Sequence, residues 1–418
     1  MESGKTLTEN IEAQKLVTQL DTSQSIVQRS IFSVLFLTVF LDFLGFSIVL
    51  PYIFFYAKSL GATPLVYGLL LTSYSLMQFI FTPILGSLSD RHGRRRILLL
   101  SLSGTGISLL VFGLANSLWL LFVARIVAGS LGAAFPVANA YIADITSKET
   151  RLKYMGMMGA AFGLGFIIGP AIGGTLSSLY GYAVPSFIAA ALAFSNLALG
   201  YFRLPEPPKR NLETRPSLKE TVRTIATRTD LKLLFVTYLV ALIAFNVSIS
   251  TATPWLQQVA SFGPFQVGLL FFLVGIVLAI SQGVAIPRLS KKFQPEQLFL
   301  IGIIATAASF ALFFTTAYSL LVLLGSLTIL AFGSGIIFAT ASAIVSLRVS
   351  AQQQGGALGM TQSAQSISEI IGPTLGNSLF GYGATFGIYS LSFMASTVMI
   401  IPAIGMSLRL SKAIAASN

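Results

Sequence analysis

The chain has 418 residues, 54% of them hydrophobic and only 10% charged, with a mean hydropathy of +0.81. Soluble globular domains of ordinary composition do not reach that balance, so most of the chain is expected to lie in lipid. Cysteine is absent and His92 is the single histidine, which excludes disulfides, thiolate metal sites, cysteine nucleophiles and multi-histidine metal clusters; no metal or cofactor is expected.

Residues 1–30 are polar and lack the pattern of a cleavable signal peptide, since the first long apolar run comes late and is itself long enough to span. They read as a cytoplasmic tail. Apolar runs follow at Ile31 to Tyr56, Leu65 to Leu88, Ile97 to Ala115, Leu118 to Ile142, Tyr154 to Leu179 and Val184 to Phe202. Six more lie at Leu233 to Val259, Phe265 to Ala285, Leu298 to Ala317, Leu320 to Val345, Leu358 to Phe380 and Phe386 to Ile404. Each is long enough to cross about 30 Å of hydrocarbon as a helix. The stretch 205–231 between the two sets carries Pro205, Pro207, Pro208 and Pro216 beside Lys209, Arg210, Arg215, Lys219, Arg223 and Arg228, and reads as a cytoplasmic linker. The expected organisation is a six-helix bundle at 31–204, a second at 232–410 and a short cytoplasmic tail at 411–418.

The formal net charge is +12. With twelve spans and the N-terminus inside, the outer loops contain only Lys58, Arg125 lies within a span, and every other Lys and Arg faces the cytoplasm. Both termini are therefore expected inside. That distribution accounts for the basic charge without nucleic acid, and no basic patch with interleaved aromatics occurs.

The halves echo each other. Gly156, Gly165, Gly169, Pro170, Gly173 and Gly174 are followed 203 residues later by Gly359, Ser368, Gly372, Pro373, Gly376 and Asn377. Leu88-Ser89-Asp90-Arg91 has a weaker echo at Leu289-Ser290-Lys291-Lys292, with the acid lost. Repeats of this kind commonly enclose a site between them.

Several residues are costly or unusual where they stand. The second and third spans are joined by the short charged segment Gly86-Ser87-Leu88-Ser89-Asp90-Arg91-His92-Gly93-Arg94-Arg95-Arg96. Gly86 permits close helix approach, Gly93 a tight turn, and Asp90 offers a carboxylate to a facing helix N-terminus; a loop that merely sets topology is the plainer alternative. In the fourth span Arg125 precedes Gly129 and Gly132, and an intramembrane guanidinium is expensive and permanently charged. It serves either to tune the protonation of a neighbouring carboxylate or as a structural ion-pair partner. Asp42 in the first span, within Leu41-Asp42-x-x-Gly45, and Glu369, the only acid in a span of the second half, each need a partner or a proton. A satisfied interhelical hydrogen bond is the alternative for Glu369. The glycine and proline run of the fifth span allows close packing and bending.

These segments carry a family resemblance. The loop at Gly86 to Arg96 resembles the signature of the major facilitator superfamily at every defined position. Arg125 with its glycines resembles the motif of proton-coupled facilitators, and the fifth-span run from Gly156 to Gly174 resembles the motif of drug/proton antiporters. The first span, and Ala140-Tyr141-Ile142-Ala143-Asp144 closing the fourth, are similar to the tetracycline-resistance efflux branch. The resemblance is densest from about residue 38 to 205. It implies an all-α membrane protein of twelve transmembrane helices in two pseudo-symmetric six-helix bundles. It also implies a cytoplasmic gate, carried by Gly86, Asp90, Arg91, Gly93, Arg94 and Asp144, in which Asp90 caps the eleventh helix and Arg94 pairs with Asp144, and proton coupling through Asp42 and Arg125; Glu369 is the second proton-carrier candidate on the cost of its burial alone.

Phe245, Asn246, Trp255, Gln257 and Gln258 of the seventh span, with Phe338 of the tenth, are candidate substrate contacts, because an apolar cavity with few polar groups suits lipophilic solutes. The expected partners are a small-molecule substrate, protons and membrane lipid, with the chain acting as a monomer. No Gly-x-x-x-x-Gly-Lys-Ser/Thr loop occurs, so the expected energy source is the proton gradient rather than ATP. Scattered membrane carboxylates and one loop histidine do not make an enzyme. Export in exchange for protons is the expected function, with uptake of a metabolite and a non-transporting receptor as rivals.

Overall fold

The computed structural model describes residues 31–146, 148–207, 227–313, 319–349 and 353–415. The tail 1–30, most of the linker and residues 416–418 lie outside the described residues. Among those described there is no β-strand, as lipid demands of a chain that is not a closed barrel. The long helices are α1 (Ile31–Val49), α2 (Pro64–His92), α3 (Arg94–Gly113), α4 (Leu118–Ile145), α5 (Lys148–Tyr180) and α6 (Ala183–Arg203), then α7 (Thr229–Ala260), α8 (Pro264–Leu289), α9 (Pro295–Leu312), α10 (Leu320–Arg348), α11 (Gln354–Thr385) and α12 (Leu391–Ala415). Eleven are long and apolar enough to cross a membrane. The exception is α11, which carries Gln362, Gln365, Glu369 and Asn377 but is packed between α2 and α7, where protein rather than lipid receives its polar groups.

Local chemistry sets several boundaries. The first apolar run does not continue to Tyr56 as one helix: Pro51 interrupts it, and a separate short helix occupies Ile53–Ser59. Proline opens α2, α8 and α9, where its missing N–H removes no bond. The Thr63 hydroxyl accepts from Val66 N at 3.3 Å, capping α2. Between α2 and α3 only Gly93 intervenes, at φ +108°, a conformation that glycine adopts without strain. The helix of α4 is interrupted at Gly132 and Ala133, and α8 contains a π-helical turn over Ser281–Ala285.

Within the bundles, glycines set which helices approach closely. A side chain at Gly165, Gly169 or Gly173 would strike the α1 backbone from Phe40 to Ile48. In the same way, one at Gly372 or Gly376 would strike α7 around Asn246 and Val247. The repeat read from the sequence thus corresponds to two equivalent contacts, α5 on α1 and α11 on α7.

Alternation of direction puts the start of α1, the Arg91 to Arg96 loop and the end of α12 at one end of the molecule, called here the basic end; Lys58 lies at the far end. The bundles meet toward the far end. Gly174 faces Gly268 of α8, Gly68 faces Pro373 and Asn377 of α11, and Thr72 Oγ1 donates to Ile370 O at 2.8 Å and meets Thr374 Oγ1 at 2.8 Å. Lys58 Nζ donates to Gln257 Oε1 across the seam at 2.7 Å. Toward the basic end, a Cβ at Gly86, Gly156, Gly159, Gly283 or Gly359 would meet no described atom of a neighbouring helix within 4 Å. Among the described residues, the contacts that join the bundles therefore gather toward the far end.

This contrast is measurable. Gly173→Ala, which drives a methyl into the Ile48 carbonyl, should cost about 1–3 kcal/mol, read as a lowered thermal midpoint of the purified protein. Gly163→Ala, whose Cβ meets nothing within 4 Å, should leave that midpoint unchanged or slightly raised.

Candidate functional site

At the basic end, the Gly93 turn brings Arg94 onto two carboxylates: Nη2 lies 2.5 Å from Asp90 Oδ1 and Nε 2.8 Å from Asp144 Oδ2. Nη1 donates to Ser89 Oγ at 2.7 Å. The three charged side chains are mostly shielded, which strengthens the attraction relative to open water. Arg91 points to solvent. Among the described residues Asp90 is paired with Arg94 rather than with the start of α11, because the bundles are apart at this end.

The second bundle has a counterpart with the signs exchanged. In the first bundle the base starts α3 and the acid ends α4; in the second, Glu296 starts α9 and Arg348 ends α10, with Arg348 Nη2 3.9 Å from Glu296 Oε1. Arg228 holds Asp230 at 2.5 Å and donates to Arg348 O at 2.5 Å, tying α7 to the same cluster. No motif in the sequence reveals this reversal, because Glu296 and Arg348 are far apart in the chain.

Deeper in, Asp42 of α1 is partly exposed and accepts a hydrogen bond from Thr105 Oγ1 of α3 at 3.1 Å. Glu369 of α11 accepts from Gln365 Nε2 at 3.0 Å. Arg125 is only 7% exposed, and its guanidinium lies 4.4 Å from the centre of the Tyr74 ring, a cation–π arrangement that is worth most when desolvated. Its Nε has no hydrogen-bond partner, and among the described residues no carboxylate forms an ion pair with it. Sequence reading passed over Tyr74, the ring that receives Arg125.

Of the candidate substrate contacts, Phe245 and Phe338 meet edge to face at 6.0 Å and are both half-buried. Trp255 is 2% exposed and packs edge-on against Phe313 and Phe393; it fills the core of the second bundle and does not line the opening. Asn246 donates to Ser368 Oγ at 2.9 Å and fastens α7 to α11. Gln257 and Gln258 lie near the far end, held by Lys58 and by Tyr389. An aromatic cluster in the first bundle went unread: Phe43 meets Phe162 at 4.3 Å and Phe135 at 5.5 Å, while Phe46 contacts Tyr74 at 5.5 Å. All are half-buried. With 33 Phe in the chain, composition offered no means of choosing these. Of the glycine run, Gly165, Gly169 and Gly173 serve α1, Gly174 and the Pro170 carbonyl face Gly268, and Gly156 faces open space.

Comparison with known proteins adds independent information. Residues 35–373 and 234–413 match the family model of the Major Facilitator Superfamily. Tetracycline resistance protein, class C, of Escherichia coli is 32% identical over 362 residues, covering 83% of this chain and 89% of that protein. Multidrug resistance protein 2 of Bacillus subtilis is 28% identical over 384 residues, covering 90% and 94%. In shape, the nucleoside transporter NupG aligns with a TM-score of 0.74 at 15% identity over 91% of this chain and 99% of that one. A bacterial homologue of the lysosomal transporter Spinster, inward-facing and unoccupied, aligns with a TM-score of 0.72 at 17% identity over 93% and 97%.

The ion pairs at the basic end differ in geometry and should differ in strength. A double-mutant cycle on Arg94→Gln and Asp144→Asn should return a coupling of about 1 kcal/mol or more. The looser pair, through Glu296→Gln and Arg348→Gln, should return less; equal couplings measured by chemical unfolding would show that distance does not rank them.

Proposed function

Because the chain belongs to the major facilitator superfamily and is a multi-pass membrane transporter rather than an enzyme, we propose that it exports a small, largely apolar solute of the tetracycline or multidrug type in exchange for protons. The named relatives are resistance proteins, and they motivate the substrate class. The observation that supports the coupling is that Asp42 and Glu369, one in each bundle, each hold a single neutral hydrogen-bond donor and no ion-pair partner among the described residues, while Arg125 rests on Tyr74.

In this reading the basic end is cytoplasmic, as the concentration of Lys and Arg there favours, and both termini are inside. The conformation described is then inward-facing, with the far-end seal closed. A carboxyl that crosses between aqueous sides is cheaper to bury as the neutral acid than as the anion. Asp42 or Glu369 takes a proton when the site faces outward and releases it when the site faces inward. Substrate then enters from the cytoplasmic opening between the Phe43, Phe135 and Phe162 cluster and the Phe245 and Phe338 pair, and the protein returns outward. Arg125, which keeps its charge throughout, sets the local field. The Asp90, Arg94 and Asp144 cluster with Arg91 is the cytoplasmic gate: Asp90 leaves its present pairing to meet α11 when that side closes. The glycines from Gly156 to Gly174 and Pro170 let α5 slide and bend between α1 and α8 without opening a leak.

The test is proton release. Purified protein in weak buffer, given tetracyclines and lipophilic cations in turn, should release protons on binding at least one. Asp42→Asn or Glu369→Gln should abolish the release, identifying the carrier. A compound that demonstrably binds without any release, and whose transport survives collapse of the proton gradient, would replace antiport with uniport.

A further inference from the structure

A pocket of about 540 Å³ opens at the basic end, against the start of α1, the start of α3 and the end of α6. None of its walls comes from α2, α5, α8 or α11, so it is separate from the seam between the bundles. Ile31, Arg95, Tyr201, Phe202, Arg203 and Glu206 line it.

The chemistry of this pocket is unbalanced. Arg95 Nη2 donates to Tyr201 O at 2.6 Å, and the guanidinium lies 5.2 Å from the centre of the Tyr201 ring. Among the described residues Arg95 Nε, however, is buried and finds no hydrogen-bond partner, so the guanidinium is incompletely satisfied by protein. Arg203 beside it is exposed. Among the described residues the only acid lining the pocket, Glu206, accepts from Arg95 N at 3.3 Å and packs against Gly93. Two guanidinium groups against one carboxylate leave a single positive charge in excess. Tyr201 and Phe202 are 58% and 78% exposed. At the end of a membrane helix such aromatics lie at headgroup depth, beside the opening of this pocket.

We propose that this pocket binds the phosphodiester of a membrane phospholipid from the leaflet at the basic end. Guanidinium groups match phosphate oxygens in geometry and charge, so Arg95 and Arg203 take the phosphate while Tyr201, Phe202 and Ile31 take the glycerol and the first acyl carbons. A singly charged phosphodiester neutralises the excess; the second charge of a phosphomonoester would meet Glu206. The pocket therefore prefers phosphatidylglycerol to phosphatidic acid. Because Glu206 rests on Gly93, the lipid touches the segment that orients Arg94.

Native mass spectrometry on the delipidated full-length protein tests this, with phosphatidylglycerol, phosphatidic acid and inorganic phosphate as probes. Phosphatidylglycerol should bind the unmodified protein more tightly than phosphatidic acid. Arg203→Gln, at an exposed position that folding does not depend on, should weaken it about tenfold, and Arg95→Gln at least as much. The paired Lys291→Gln and Lys292→Gln change, on the other bundle at the same end, should leave affinity unaltered. Equal affinity in all variants would overturn the site. Displacement of the lipid by millimolar inorganic phosphate would overturn the lipid assignment in favour of a free phosphate site.

Discussion

The close approach of α5 to α1, repeated by α11 on α7, is the contact on which the rest of the architecture depends. Two apolar helices gain little by leaving lipid for each other, so their association needs tight van der Waals contact and interhelical hydrogen bonds, which small residues permit. Gly165, Gly169 and Gly173 allow it in one bundle, Gly372 and Gly376 in the other. The same helices then present Gly174 and Asn377 outward to the opposite bundle, against Gly268 and Gly68. One stripe of small residues thus builds each bundle while its continuation forms the seam between them.

That seam explains the placement of charge. Because the bundles meet at the far end and part at the basic end, polar groups in the parted region can be reached by water, whereas those within the bundles need protein partners. Asp42 has Thr105, Glu369 has Gln365, and Arg125 has the face of Tyr74. With Arg125 held on an aromatic face instead of a carboxylate, neither Asp42 nor Glu369 forms an ion pair among the described residues. At the basic end the charges are paired within each bundle, with opposite polarity in the two. A pair confined to one bundle survives relative rotation of the bundles, while Asp90, at the edge of its cluster, is placed to change partner.

Motifs carried in contiguous segments were legible from the chain: the charged loop closed by Gly93, the glycine run of α5 and its copy in α11, and the intramembrane Asp42, Arg125 and Glu369. Each owes its prominence to the cost of its residue type at that depth or to the backbone freedom it supplies. Trp255 looked like a substrate contact for the same local reason, a large amphipathic ring in a span. Yet Phe313 and Phe393 stack at 4.5 Å beside it and take it into the core. The Phe43, Phe135 and Phe162 cluster was invisible because its members come from α1, α4 and α5.

The sequence by itself determined that the chain crosses lipid repeatedly, that its halves are copies, and which end carries the positive charge. Hydropathy and charge are summed along contiguous residues, and a 20-residue apolar segment needs no distant partner to be driven into a membrane. Only the tertiary structure decided which face of each helix turns inward, that Tyr74 receives Arg125, that the ion pairs of the two bundles are reversed in sign, and that the bundles join toward the far end. Those features depend on the rotation and tilt of helices set by contacts between residues a hundred or more positions apart, and a twelve-helix chain of nearly uniform apolarity leaves few marks of that rotation in its sequence.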